Sequence, residues 1–163
     1  MSNLKRGFCS FADNRLTSGC QPGWYGVGKS CFMFYFESPR EWRLARTLCH
    51  EQNSEMATAK SVDVLEVLAN QRKHLQSQDL DLFLGLKSKL RWTWVDGEKV
   101  SDSQKALWRP TEPSGDGYCG SLLSFVSWDS TWRGYGWGLN DEPCTNPRRY
   151  ICEEPLGTFL NNL

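Results

Sequence analysis

Seven dispersed cysteines constrain this chain more than any other feature. They stand at Cys9, Cys20, Cys31, Cys49, Cys119, Cys144 and Cys152, and no two of them form a C-x-x-C pair. This spacing is typical of a disulfide framework rather than of a zinc site or a redox motif. Disulfides persist in oxidising compartments, so we predict an extracellular domain, either secreted or part of the ectodomain of a membrane protein.

Length and charge narrow the possible partners. The 163 residues suit one domain, and the 19 basic side chains balance the 19 acidic ones. Because no net field attracts polyphosphate, we expect no nucleic-acid partner. No stretch approaches the roughly 18 apolar residues of a membrane span, and the start lacks an apolar signal core. We therefore expect no direct membrane insertion of this segment, and an origin in a longer secretory precursor.

Composition shifts along the chain predict one packed domain between two tails. Residues 1–19 are polar and without a sustained period, so they are interpreted as a tail or the remnant of a preceding module. The packed domain is predicted to cover 20–155, and 156–163 to form a C-terminal tail.

Two amphipathic helices are predicted in the first half of the domain. An aromatic-rich strand over 29–36 precedes Ser38 and Pro39, which together with Glu41 predict a helix start with a capping box. The following residues place Trp42, Ala45, Leu48 and Cys49 on one face. A second helix is predicted over 61–73, with Val64, Leu65, Leu68 and Ala69 facing inward.

Short strands and loops are predicted in the second half. Strands are expected over 82–86, 91–95, 122–126 and 149–152, and Asp96 and Gly97 are expected to supply the positive backbone angles of a tight hairpin turn. The stretch 99–144 is rich in Gly, Pro, Ser, Asp and Trp and is predicted to be mostly loop. Long loops in a compact domain generally serve binding.

Several motifs, taken in order from Cys20 to Cys152, resemble those of the C-type lectin-like domain. They are the extra hairpin of the long form at 20–31, F-L-G-L at 83–86, W-T-W-V-D-G at 92–97, Trp108 with Glu112-Pro113-Ser114, and Leu139-Asn140-Asp141 ahead of Cys144. The resemblance implies an α+β fold in which two helices flank small antiparallel sheets and a long loop region. A weaker likeness joins the stretch 112–120 to the lectin-like domain of attractin-type multidomain proteins.

The resemblance also implies disulfides from Cys20 to Cys31, from Cys49 to Cys152 and from Cys119 to Cys144, which sequence alone cannot choose. Cys9 is left over. Its partner is expected either in a module outside this segment or in another chain.

A calcium site is a further implication of the resemblance. The ligands it implies for Ca²⁺ are Glu112, Ser114, Asp116, Asn140 and Asp141, and four of these, Glu112, Ser114, Asn140 and Asp141, would also bind sugar hydroxyls. Pro113 is expected to be the cis proline of this loop. Three positions depart from the family pattern, because Ser114 replaces Asn or Asp, Gly117 replaces a carboxylate and Leu139 replaces Trp.

An aromatic insertion at 127–138 is a second candidate ligand surface. Exposed aromatic side chains anchor protein interfaces and stack on sugar rings, so we predict ligand contacts by Trp132, Arg133, Tyr135 and Trp137. The competing interpretation is that Trp128 and Trp137 pack beneath the loop.

No catalytic motif is found. The two histidines, His50 and His74, lie in none of the usual hydrolase, metalloprotease or nucleotide-binding patterns. We therefore predict a non-enzymatic recognition domain that binds carbohydrate with calcium. The alternative is a calcium-independent protein-binding module of a larger receptor or adhesion protein.

Overall fold

The fold is built from one mixed sheet and two helices. The computed structural model describes residues 19–71, 81–124 and 137–158. The strands are β1 (Tyr25–Val27), β2 (Ser30–Arg40), β3 (Glu55–Met56), β4 (Leu82–Ser88), β5 (Trp92–Trp94), β6 (Cys119–Ser124), β7 (Trp137–Glu142) and β8 (Arg148–Pro155). The helices are α1 (Trp42–His50) and α2 (Val62–Gln71), with a 3-10 turn at Gln104–Leu107.

The strands run in the order β1-β2-β8-β4-β6-β7, with β3 paired to β8 and β5 paired to β4. The β4–β8 pair is parallel and the other strand pairs are antiparallel. An α+β architecture is confirmed. Of the two predicted tails, residues 1–18 and 159–163 lie outside the described residues.

The first helix begins later than the capping box predicts. Strand β2 continues through Ser38 and Pro39 to Arg40, and no side chain caps the amides of α1 at Glu41. A residue before proline avoids the helical region, which favours an extended chain at Ser38. The amide of Trp42 instead donates to the carbonyl of Cys144 at 3.0 Å, so a tertiary contact replaces the predicted cap.

The predicted helical faces are buried. Trp42, Ala45 and Cys49 of α1 are buried, as are Leu65, Leu68 and Ala69 of α2, while Leu48 and Val64 are half-buried. The indole N–H of Trp42 donates to the carbonyl of Leu84 at 2.9 Å, which joins α1 to the central strand β4.

One detail of the β5 turn differs from the prediction. Only Gly97 has a positive φ, +92°, and Asp96 does not. The amide of Gly97 donates to the carbonyl of Trp94 at 2.9 Å, and the Trp94 amide donates to Glu98 at 2.8 Å. A single left-handed residue therefore closes this hairpin, as in a turn with a bulge.

All three implied disulfides are present, linking Cys20 to Cys31, Cys49 to Cys152 and Cys119 to Cys144. The last of these joins β6 to the turn after β7. Together with the β6–β7 ladder, it fixes the base from which the loop 109–118 projects. In the described residues no helix is long and apolar enough to cross a membrane.

Candidate functional site

A loop at residues 109–118 carries the residues that the sequence singles out. It leaves the 3-10 turn, contains a cis peptide bond between Glu112 and Pro113, and returns to β6. Its first turn is closed by the amide of Glu112, which donates to the carbonyl of Arg109 at 3.0 Å. The cis bond agrees with the expectation for Pro113.

Asp141 of β7 holds this loop in place. The residue is 1% exposed, and its carboxylate accepts hydrogen bonds from the backbone amides of Ser114 at 2.7 Å, Gly115 at 2.9 Å and Gly117 at 3.3 Å. The hydroxyl of Ser114 donates to the same carboxylate at 3.3 Å. Both oxygens of Asp141 are therefore engaged with protein donors.

The carboxyls of Glu112 and Asp141 titrate in opposite directions. Burial and the neighbouring Asp141 carboxyl raise the pKa of Glu112 above its ordinary value. Burial opposes ionisation of Asp141 as well. Hydrogen bonds from Glu112 and from the amides of Ser114, Gly115 and Gly117 outweigh it and lower the Asp141 pKa. Asp141 is therefore the ionised member of the pair over the wider pH range.

Asn140 is also bound within the protein. Its side-chain oxygen accepts from Nη1 of Arg109 at 3.3 Å, and its amide nitrogen donates to the carbonyl of Asp141 at 2.9 Å. The charge of Glu112 favours the charged form of Arg109, although burial lowers the pKa of this guanidinium overall. A protein cation thus contacts the side-chain oxygen of Asn140, one of the residues predicted to bind calcium.

These contacts do not fit a calcium ion. Calcium takes about six to eight oxygen ligands. Here the carboxylate of Asp141 is saturated by N–H and O–H donors, and Asn140 faces a guanidinium. Ser114 turns its donors to Asp141, and Asp116 is exposed. Across the described residues, no three His, Cys, Asp or Glu side chains are grouped so as to hold a metal.

The backbone at Gly117 packs too closely on β7 for the carboxylate side chain that the family pattern has at this position. A Cβ placed there would lie 1.9 Å from the carbonyl carbon of Glu142, which is far inside van der Waals contact. The loop therefore packs directly on the backbone of β7. No side chain fits at position 117 in this arrangement.

An aromatic cleft opens beside this loop, and the sequence did not point to it. Its volume is about 570 Å³, and it is lined by Arg91, Trp92, Lys99, Val100, Asp102, Lys105, Trp108, Glu112 and Pro113. The rings of Trp92 and Trp108 meet edge to face, with centroids 4.8 Å apart. Both tryptophans belong to recognised motifs, but nothing in their spacing shows that they share a cleft with Arg91 and Lys99.

The aromatic insertion is only partly described. Trp132, Arg133 and Tyr135 lie outside the described residues, so their predicted ligand contacts stay predictions, and so does Trp128, which the competing interpretation packs beneath the loop. Trp137 is the first residue of β7, is 6% exposed and belongs to the main hydrophobic core. Its pairing with Ser124 across the β6–β7 ladder fixes it there. This placement corrects the expectation that Trp137 belongs to an exposed ligand surface.

Comparison with known proteins identifies the family. The sequence-family model of the lectin C-type domain matches residues 38–154. CD209 antigen-like protein C of Mus musculus is 27% identical over 144 residues, covering 86% of this chain and 72% of the relative. Asialoglycoprotein receptor 1 of Mus musculus is 28% identical over 142 residues, covering 84% of this chain and 45% of the relative.

Solved structures share the same fold. The C-type lectin domain of murine dendritic cell inhibitory receptor 2, in complex with N-glycan, superposes with a TM-score of 0.70 at 19% identity, covering 83% of this chain and 98% of that domain. The SPL-1 complex with GlcNAc gives 0.68 at 27% identity, covering 83% and 94% respectively.

The chain spans only part of several relatives, for example 34% of the CD209 antigen of Symphalangus syndactylus. The family match nevertheless covers most of this chain, and the three disulfides are those that the resemblance implies. The chain belongs to the C-type lectin domain family.

Proposed function

We propose that this domain recognises a carbohydrate ligand at the cleft beside the loop 109–118, in an extracellular setting. The observation that carries the proposal is the cleft itself, in which Trp92 and Trp108 adjoin the Glu112 carboxyl and Pro113. The glycan-bound SPL-1 relative supports a sugar ligand, and the three disulfides support an oxidising compartment. Family members are recognition modules, so no catalysis is proposed.

The chemistry of the cleft suits a sugar ring. The C–H face of a pyranose packs on an aromatic face, and its hydroxyls need a few fixed polar partners. Trp92 is half-buried and supplies the aromatic surface. Glu112 supplies a hydrogen-bond acceptor that is held in place because its Oε2 accepts the Ser114 amide at 2.9 Å.

The sequence predicts not only that the domain binds carbohydrate but also that it uses calcium to do so. The contacts of the site favour binding without calcium. If calcium bound here, Glu112, Ser114, Asn140 and Asp141 would hold the ion, and it would supply positive charge between the loop and β7. Here Asp141 ties the loop to β7 through three backbone amides, and Arg109 brings the positive charge to Asn140. We therefore propose that recognition by this domain does not require calcium.

Titration with GlcNAc in buffer with excess chelator tests the proposal. Calorimetry is expected to show saturable binding, and Glu112→Gln is expected to weaken it about tenfold because a charged acceptor becomes neutral. Glu41→Gln removes an exposed carboxylate that does not line the cleft and serves as the matched control. Absence of binding to GlcNAc and other simple sugars would contradict the proposal.

A protein ligand is the second candidate function, and one surface favours it. Leu90 is 98% exposed and Tyr118 is 65% exposed. The amide of Ser88 donates to the carbonyl of Tyr118 at 2.9 Å, which brings the two segments together. If no sugar binds, and a Tyr118→Ala exchange weakens binding to an identified protein partner, this function would replace carbohydrate recognition.

A further inference from the structure

We propose that the aromatic cleft selects an anionic sugar residue, one that carries a carboxylate or a sulfate group. The inference rests on the proposed carbohydrate function and specifies its ligand class. Three cations line the cleft, Arg91, Lys99 and Lys105, against the carboxyls of Asp102 and Glu112. The cleft therefore has a positive balance in a chain whose formal net charge is zero.

The cations of the cleft differ in what they contact. Lys105 forms an ion pair with Asp102 at 2.6 Å, so these two charges offset each other. Arg91 and Lys99 are exposed, and in the part of the chain that the structure describes neither forms an ion pair. Their charges are available to an incoming ligand.

The carboxyl of Glu112 does not cancel these charges. Its Oε2 accepts the Ser114 amide at 2.9 Å, and its charge also favours the charged form of Arg109, which is not among the residues that line the cleft. Arg91 and Lys99 remain as the uncompensated pair.

The β5 hairpin brings Arg91 and Lys99 close to each other, and both line the cleft together with Trp92. Lys99 pairs with Thr93 across the hairpin, and the amide of Val100 donates to the carbonyl of Trp92 at 3.0 Å. This register places Arg91 diagonally across from Lys99, within reach of one ligand group for such long side chains. A guanidinium binds planar or tetrahedral oxyanions through two parallel N–H donors.

The size of the cleft suits one or two sugar residues. Its volume of about 570 Å³ falls within the range of small-ligand pockets, roughly 300 to 1,000 Å³. An anionic pyranose would stack on Trp92 and direct its acidic group to Arg91 and Lys99. Its hydroxyls would then lie toward Glu112.

Matched pairs of sugars test the inference on the disulfide-intact chain. GlcNAc is compared with GlcNAc 6-sulfate, and glucose with glucuronic acid, by calorimetric titration at low and high salt. The anionic member of at least one pair is expected to bind about tenfold more tightly at low salt, with a smaller preference at high salt. Which pair responds identifies sulfate or carboxylate as the recognised group.

Substitutions of the exposed cations Arg91 and Lys99 then test whether the preference for an anionic sugar arises in the cleft. Arg91→Gln and Lys99→Gln are each expected to reduce affinity for the anionic sugar about threefold to tenfold more than affinity for its neutral counterpart. Lys29→Gln removes an exposed cation outside the cleft and is expected to change nothing.

Two results would overturn the inference while carbohydrate recognition stands. One is equal affinity for both members of each pair, and the other is an equal loss in Lys29→Gln, which would indicate nonspecific charge attraction. Failure of all four sugars to bind would instead overturn the proposed function together with this inference.

Discussion

Asp141 is the residue on which the loop 109–118 depends. It is buried and ionised, and the amides of Ser114, Gly115 and Gly117 stabilise its charge. A carboxylate held by backbone amides has a lowered pKa, because the hydrogen bonds favour the charged form. The same loop carries Glu112, which lines the cleft, so the proposed ligand site depends on these bonds for the structure of its loop.

The opposite pKa shifts of Glu112 and Asp141 predict a particular pH dependence. Glu112, whose pKa is raised above 4.5 in the folded domain, takes up its proton before the unfolded chain does. The wild type should therefore gain stability relative to Glu112→Gln as the pH falls toward 4.5. Below 3.8, the ordinary pKa of Asp141, stability is lost, because folded Asp141 resists protonation.

Thermal unfolding of the two proteins between neutral and acidic pH checks this prediction. Groups that do not interact with Glu112 titrate alike in both proteins, so their contributions cancel in the difference between the curves. Curves that stay parallel from neutral pH down to 4.5 would contradict a raised pKa of Glu112 in the folded domain.

Gly117→Ala should destabilise the domain by about 2 to 4 kcal/mol, because its Cβ overlaps the carbonyl of Glu142 and backbone cannot move aside as a side chain can. Gly115→Ala is the matched control in the same loop. A Cβ there meets nothing within 4 Å, so only its φ of +89° costs energy, about 1 kcal/mol. Urea unfolding measures both variants, and an equal loss in the two would contradict the close approach at Gly117.

At the scale of elements, an ion pair joins β7 to β8. Nε of Arg148 lies 2.6 Å from Glu142 and 3.4 Å from Asp81, and the Glu142 side chain is only 5% exposed. A buried carboxylate that loses its partner is costly, because its desolvation is then uncompensated. This contact holds the strand end that carries Asp141.

We expect Arg148→Met to cost about 2 to 3 kcal/mol, less than for a fully buried pair because a third of the Arg148 side chain is exposed. Adding Glu142→Gln to this variant should recover part of the loss, since the stranded charge is removed. Arg43→Met, on the exposed face of α1, is the control. Denaturant unfolding at neutral pH measures the free energy of unfolding of each variant. A double variant less stable than Arg148→Met alone would contradict the prediction.

The elements were predicted well where local patterns decide them. The second helix, predicted over 61–73, is found at Val62–Gln71, and strand β4 begins at the predicted Leu82. The start of α1 was wrong because Ser38 and Pro39 are compatible with both a cap and an extended chain. Pairing of Arg40 with Arg148, a tertiary contact, selects the extended chain.

The site was predicted less completely for a similar reason. Sequence motifs pointed to Glu112, Asn140 and Asp141, and the structure brings their segments together. What these side chains bind could not be predicted, because the partners of Asp141 are backbone amides, which no residue type identifies. The cleft is assembled from the β5 hairpin, the 3-10 turn and the loop, which only the tertiary fold makes adjacent.

At the scale of the whole molecule, the disulfides close loops of very different length. Cys49 and Cys152 are 103 residues apart, whereas Cys20 and Cys31 are 11 apart. In the chain-entropy model the longer loop contributes about 2 kcal/mol more to stability. Both members of the longer pair are also fully buried, so removing them loses packing in the core.

The Cys49→Ala/Cys152→Ala variant should therefore unfold at lower denaturant than Cys20→Ala/Cys31→Ala, with the wild type highest. Circular dichroism during chemical unfolding gives the three midpoints. The reverse order would mean that the amino-terminal hairpin, rather than the α1–β8 junction, dominates stability.

Calcium independence of carbohydrate binding is the central claim, and one comparison tests it most directly. Affinity for GlcNAc and the melting temperature are measured on the same protein, first with excess chelator and then with saturating calcium. Because Asp141 and Asn140 are bound by protein donors, we predict the same affinity and the same melting temperature in both buffers. Two results together would contradict the account. Sugar would bind only in the presence of calcium, and calcium would raise the melting temperature of the domain, as a ligand that binds the native state does.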